Sequence, residues 1–199
     1  MSSESYDKAV VEKYTSFVGK KEVDKLNKIF KAKKFVGIWK QVMCSPSTSF
    51  FGSGPNYSSV EAKYTLKKNG LVGVENGAYD VDLNRVGVKG VSGARDDKIP
   101  TCRTVKFDNL FKNEGNYWIL YATPSFKTII VAAPIIIKLF NTPVVITNNF
   151  GFYVLTRNRK QFWNSCEEYE HALDALKKYG FDKLWNKPVA TGESFKMVF

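Results

Sequence analysis

The stretch Glu61-Ala62-Lys63-Tyr64-Thr65-Leu66-Lys67-Lys68-Asn69-Gly70-Leu71-Val72-Gly73-Val74-Glu75-Asn76 decides the fold. Ala62, Tyr64 and Leu66 alternate with Glu61, Lys63 and Thr65, the period of two that sends one row of side chains to a dry face and the other to water. Asn69-Gly70 supplies two residues that tolerate a positive φ. A second alternating run, with Val72, Val74 and Asn76 on one face, begins at once. Two such runs around Asn-Gly predict an antiparallel hairpin.

Working outward, the same texture holds from Val36 to Arg159. Strands are predicted at Val36–Met43, Ser59–Leu66, Leu71–Tyr79, Gly87–Ala94, Thr104–Phe107, Asn116–Thr123, Lys127–Ala133 and Phe152–Asn158. Eight short strands at meander spacing, joined mostly by short turns, point to a mainly β fold: an eight-stranded antiparallel up-and-down barrel, with a sandwich as the structural alternative. Every second residue of a closed barrel faces inward. Taking Trp39 as inward puts Gln41 and Met43 on its face. The following strands then offer Ala62, Tyr64 and Leu66; Val72, Val74 and Asn76; Val88, Gly90 and Ser92; Val105 and Phe107. The last three offer Tyr117, Ile119 and Tyr121; Ile129 and Val131; Tyr153 and Leu155. Small residues mixed with aromatics describe either a plain core or an apolar pocket. In a pocket, the hydroxyls of Tyr64, Tyr117, Tyr121 and Tyr153 could orient a ligand's polar head.

The ends of the chain read differently. Residues 1–34 form a basic extension with helical spacing at Tyr6, Val10, Tyr14 and Phe17, a break at Gly19, and Val23, Leu26 and Phe30 beyond it. Seven lysines between Lys20 and Lys34 crowd its second half. The extension is either an amphipathic helix lying on the body or an interfacial helix meeting anionic headgroups. Residues 35–199 carry the barrel, one further helix over 165–180 and a tail that hugs the body through Leu184, Trp185 and Val189. Ser165 and Glu168 make a capping box for that helix, Tyr169, Ala172, Leu173 and Leu176 line one face, and Gly180 stops it. Such a helix packs outside the barrel.

Composition excludes several classes. The chain has 199 residues, 44% hydrophobic and 25% charged, so it can bury a sizeable core and is not disordered. Its net charge of +11 asks for an anionic partner or surface. The start, Met-Ser-Ser-Glu-Ser-Tyr-Asp, has no basic and apolar leader pattern, so a cytoplasmic, peripherally membrane-bound protein is expected. Three cysteines, Cys44, Cys102 and Cys166, allow one pair at most, and none has zinc-ligand spacing. The only histidine, His171, sits on the late helix; the carboxylate pairs Asp96-Asp97 and Glu167-Glu168 read as a turn and a helix start. With no Walker A, G-x-G-x-x-G or H-E-x-x-H pattern, no catalytic residue, metal or cofactor is expected. An oligonucleotide-binding barrel is disfavoured because the positive excess lies off the strands and the strand aromatics alternate with Val and Ile rather than clustering with Arg.

Gly37-Ile38-Trp39 at the first strand resembles the G-x-W signature of the lipocalins. The ordered set Ala62–Leu66 with Asn69-Gly70, Val74–Asn76 with Ala78-Tyr79, Tyr117–Tyr121 with Pro124, Tyr153–Arg157, and Gly180–Asp182 is similar to one branch of that family: bacterial outer-membrane lipocalins, plant temperature-induced lipocalins and apolipoprotein D. The resemblance covers about residues 35 to 190. It implies a calyx that carries a fatty acid, lysophospholipid or similar lipid, with Trp39 plugging the closed end and Arg157 stacked on its indole. A few relatives are isomerases or handle epoxides, so a lipocalin-fold enzyme is the alternative; of the cysteines only Cys44 lies near an inward face. Two features depart from the family. Thr123-Pro124-Ser125-Phe126 stands where a turn usually holds an acidic residue. The stretch Pro134–Asn149 is longer than the usual hairpin, and its run Ile135–Ile146 reads as a lid or membrane-touching loop, as extended strands, or as extra core. Expected partners are a hydrophobic small molecule, an anionic membrane surface met through Lys20–Lys34 and the Ile135–Ile146 loop, and a second copy of the chain.

Overall fold

A computed structural model describes residues 3–46, 55–108, 114–139, 142–183 and 186–193. Of the stretches singled out above, residues 140–141 within Ile135–Ile146, and Leu184 and Trp185 of the tail, lie outside these.

Eight strands, β1 Gly37–Cys44, β2 Ser58–Leu66, β3 Val72–Tyr79, β4 Arg85–Ala94, β5 Cys102–Phe107, β6 Gly115–Ala122, β7 Thr128–Leu139 and β8 Thr142–Thr156, pair antiparallel in chain order. β1 pairs with both β2 and β8, which closes the barrel and leaves the sandwich aside. Closure removes the two edges an open sheet would expose. The β2–β3 connection is longer than a two-residue turn: Lys68–Gly70 form a 3-10 turn, with Gly70 at φ 73°, and the Lys67 amide donates to the Leu71 carbonyl.

β1 and β2 are hydrogen-bonded only from Gly37 to Lys40 on the β1 side. Beyond that point a short strand from the tail, β9 Val189–Ala190, takes the vacant flank of β1 opposite Cys44 and Met43. The Thr191 amide donates to the Val42 carbonyl and the Ser59 amide to the Gly192 carbonyl, so the tail bridges the diverging strands. The buried Arg159 completes this seam from α4 (Arg159–Asn164): its Nη2 donates to the Gln41 carbonyl at 2.8 Å and its Nη1 to Glu193 at 3.0 Å.

The basic extension folds as α1 Ser3–Val18, α2 Lys20–Ile29 and α3 Ala32–Phe35, with Gly19 at φ 90° making the break. Val10, Tyr14, Val18, Val23, Leu26 and Phe30 are all buried against the barrel. Tyr14 stands edge-on to Trp118 at 5.4 Å and donates to the Ile119 carbonyl; Asn27 of α2 bonds Lys98 and Thr101 in the β4–β5 turn. Burying those six side chains is worth on the order of 10 kcal/mol. That selects the reading in which the extension lies on the body: the apolar face is spent on the protein, and the lysines remain outside together with Glu12, Ser16 and Asp24.

The run Ile135–Ile146 takes the extended-strand reading: its described residues continue β7 and β8, with Ile135 opposite Ile146 and Leu139 opposite Thr142 after a bulge at Ala133–Ile135. β6 reaches β7 only as far as Ala132, and β1 reaches β8 only as far as Tyr153. Among the described residues the outer part of the hairpin is therefore a two-stranded ribbon about 17 Å long, with Ile136 at its foot packed against the core. Ile135 and Val144 are exposed on it. The lysine-rich α2 and α3 pack at the other, closed end.

The α5 helix, Cys166–Lys178, lies outside the barrel with Ser165 as N-cap, its Oγ accepting from the Glu168 amide. Ala172 and Leu176 are buried beneath it, and Phe181, just past its end, packs on Phe152 at 4.8 Å. In the β6–β7 turn, Thr123 replaces the family's acidic residue as acceptor: its Oγ1 takes the amides of Lys127 and Thr128 at 3.0 and 3.1 Å. A Thr123→Val substitution is expected to cost about 1–2 kcal/mol, read as a lower urea midpoint, because the buried Thr128 amide and the part-buried Lys127 amide lose their acceptor. An unchanged midpoint would show the turn to be held by Phe126 alone.

Candidate functional site

Residues paired across antiparallel strands share a face, so the register assigns the barrel interior. Trp39 faces Ala62, Ala62 faces Asn76, and Asn76 faces Val88. Tyr64 pairs with Val74, Val74 with Gly90, and Gly90 with Phe107; Val72 pairs with Ser92 and Ser92 with Val105. Ile119 pairs with Val131 and Val131 with Tyr153, while Ile129 pairs with Leu155. Gly90 serves the wall rather than leaving room: a Cβ there would lie 2.2 Å from the Lys106 carbonyl oxygen of β5.

Two residues expected inside are turned out, and each flip has one cause. A bulge between Ile119 and Tyr121 puts Tyr121 opposite Ile130, on the outer face, where burial and the Glu168 and Glu167 carboxylates of α5 raise its phenol's pKa. Another, between Gln41 and Met43, puts Met43 opposite Val154 and brings Cys44 opposite Tyr153 instead. One extra residue in a strand reverses every side chain after it.

The barrel is packed at its base and accessible above. Trp39, its indole donating to the Phe35 carbonyl at 2.7 Å, is fully buried; Arg157 lies over it at 3.7 Å and donates to the carbonyls of Lys34, Val36 and Ile38. Gly37 adopts φ 103° there, and a Cβ would press on the Arg157 guanidinium at 3.1 Å, which accounts for the glycine two residues before the tryptophan. Phe35 enters from α3 and stacks on Tyr64 at 4.4 Å. Further up, Asn76, Val88, Phe107, Tyr117 and Tyr153 are only half-buried although they face inward. Asn76 Oδ1 is buried and accepts no hydrogen bond from the described residues.

Between base and lumen sits a polar group that strand alternation alone did not single out. Arg103 pairs with Tyr117 across β5 and β6, shares the face of Val105, and is 3% exposed. Its Nε donates to Ser92 Oγ at 2.9 Å, its Nη2 to the Ser92 carbonyl and its Nη1 to the Pro100 carbonyl; it lies over the rings of Phe30 and Phe35. Beside it the Tyr64 and Tyr117 hydroxyls are 2.6 Å apart. Burial pushes the Tyr64 phenol up to about 12 and Tyr117 well above its ordinary value, so both are neutral hydroxyls at neutral pH. Desolvation lowers the Arg103 pKa, yet a guanidinium stays charged. The sequence pattern starts β5 at Thr104, two residues late, which hides Arg103. Among the described residues, no cluster of His, Cys, Asp and Glu could hold a metal.

A family model described as a lipocalin-like domain matches residues 30–141, more than half of the chain. The chain belongs to the lipocalin family. Solved structures agree on the fold of this lipocalin. Lobster apocrustacyanin A1 superposes with a TM-score of 0.61 at 14% identity, covering 86% of each chain. Insecticyanin from the tobacco hornworm, Manduca sexta, gives 0.60 at 14% identity, covering 84% of this chain and 82% of its own. A siderocalin, Ex-FABP, reported to function through dual ligand specificities, gives 0.53 at 12% identity over 81% of this chain and 95% of its own. No curated protein sequence matches the chain significantly. Proteins of this lipocalin fold typically bind small hydrophobic ligands.

Proposed function

We propose that this lipocalin takes up one small lipophilic molecule, of the fatty-acid or lysophospholipid kind, in the upper half of its barrel and shields it from water without altering it. The observation that carries the reading is the half-buried state of inward-facing Asn76, Val88, Phe107, Tyr117 and Tyr153 above a filled base. A closed eight-stranded barrel has width for one small ligand, and covering apolar ligand area supplies about 25 cal/mol per Å², less the cost of association. Ala62, Val72, Val74, Ser92, Val105, Ile119, Ile129 and Val131 would form the wall around it. The likeness to the bacterial outer-membrane, plant temperature-induced and apolipoprotein D branch supports the lipid class.

The apolar ribbon at the mouth supports delivery from a membrane, with the protein peripheral to it on the cytoplasmic side. Among the described residues no helix is long and apolar enough to cross one. The lysines of α2 and α3 lie at the opposite end, so ribbon and lysines do not serve the same contact.

A Val88→Trp substitution, placing an indole in the mouth, is expected to weaken uptake of a fluorescent fatty-acid probe at least tenfold while circular dichroism stays native. Undiminished uptake would put the ligand elsewhere.

A further inference from the structure

We infer that the floor of the lumen is an anion-recognition site, built from Arg103, Tyr64 and Tyr117, that takes the carboxylate head of the ligand. The inference deepens the carrier reading above and rests on it.

Three buried arginines can be compared. Arg95 is paired with Asp7, and Arg159 with Glu193. Arg103 is buried like them but has no carboxylate partner among the described residues. A buried charge is ordinarily compensated, because taking it out of water is costly. Its three donated hydrogen bonds go to neutral oxygens, which among the described residues leaves two of the five N–H donors of a guanidinium uncommitted. Two aromatic rings beneath it, at 5.9 and 5.7 Å, offset part of the cost but cannot neutralise the charge.

The approach is equally specific. Tyr117 stands opposite Arg103 in the register and is half-buried, whereas Tyr64 is 3% exposed. The pair therefore meets the lumen through Tyr117. One hydroxyl proton joins the two oxygens, and the second has no acceptor among the described residues. Both phenols remain neutral through burial, so they donate to an oxyanion rather than repel it. An apolar tail would lie along Val88, Phe107 and Tyr153 with its carboxylate on Tyr117 and the Arg103 charge behind. A tail ending in a hydroxyl would gain the hydrogen bond but not the charge.

The test uses the full chain stripped of lipid, with hexadecanoate and hexadecanol as matched probes measured by calorimetry, on the native protein and on R103Q and Y117F. The acid is expected to bind the native protein about ten- to a hundredfold more tightly than the alcohol. R103Q should abolish that preference while keeping alcohol binding, and Y117F should reduce it several-fold. Equal binding of acid and alcohol to the native protein overturns the anchor and leaves the carrier reading standing. Binding of neither overturns the carrier reading, and the anchor with it. A preference that survives in both variants arises from another cation and also overturns the anchor. Should R103Q fail to fold, Y117F, which deletes a single hydroxyl, decides together with the native preference: a preference it leaves unchanged overturns the anchor.

Discussion

Trp39→Ala is expected to destabilise the protein by about 4 kcal/mol, seen as a fall of about 10 °C in Tm. Trp39 is, with Trp118, one of the two largest fully buried side chains among the described residues and sits where three independent pieces of structure meet. Its indole N–H satisfies the Phe35 carbonyl at the end of α3, its face carries Arg157 at 3.7 Å, and its edge meets Phe126 of the β6–β7 turn at 5.9 Å. Alanine removes the packing, takes from the Phe35 carbonyl its 2.7 Å donor and leaves it Arg157 Nη2 at 3.4 Å, and frees Arg157 from its platform. The cavity cannot collapse readily, because the surrounding residues are fixed by barrel closure. The cation–π share is separable: a double-mutant cycle with Arg157→Met should return a coupling of about 1 kcal/mol. A loss below 1 kcal/mol in Trp39→Ala itself would mean that the closed end is held by the N-terminal helices and not by its plug.

The second large effect is expected at the seam. Arg159→Ala should cost about 3 kcal/mol, because the Gln41 carbonyl loses its 2.8 Å donor inside a wall where water cannot replace it. The exposed Glu193 partner adds little of this, since most of its side chain is in water. Location distinguishes this change from a general loss of stability. In hydrogen exchange, the Thr191 and Ser59 amides, which bond Val42 and Gly192, should open first, while the β7–β8 ladder stays protected. Uniform acceleration over all strands would show that the tail is only laid on the wall and does not hold it.

Strand alternation was enough to read the barrel and most of its lining. Ala62, Tyr64, Val74 and Val88 alternate over uninterrupted ladders, so the period of two carries through. The reading failed at Tyr121 and Met43 for one physical reason: a bulge is set by how neighbouring strands shear around a closed barrel, and a single chain does not advertise it. Arg103 escaped for a different reason. A charged residue at the start of a strand ordinarily belongs to water, and only the arrival of Phe30 and Phe35 from the N-terminal helices covers it. The extended β7–β8 ribbon stays one of three readings in the sequence because Pro134 interrupts the pattern; the structure absorbs it in a bulge, with the Pro134 carbonyl accepting from Asn116. Likewise, nothing local in Val189–Ala190 distinguishes a two-residue strand from a tail, since its partner is more than a hundred positions away.

The separation of the lysine-rich helices from the apolar ribbon has a consequence for how salt would act. Allowing for strand tilt, β8 carries the chain roughly 35 Å along the barrel axis, from the closed end to the ribbon tip. Counterions at physiological strength screen a charge within about 8 Å. A copy standing mouth-first on a bilayer therefore holds the lysines of α2 and α3 several screening lengths from the headgroups, and among the ribbon's described residues only Lys138 brings a cation to them. Added electrolyte should then shorten its residence time only slightly, whereas a copy resting on its base would be released.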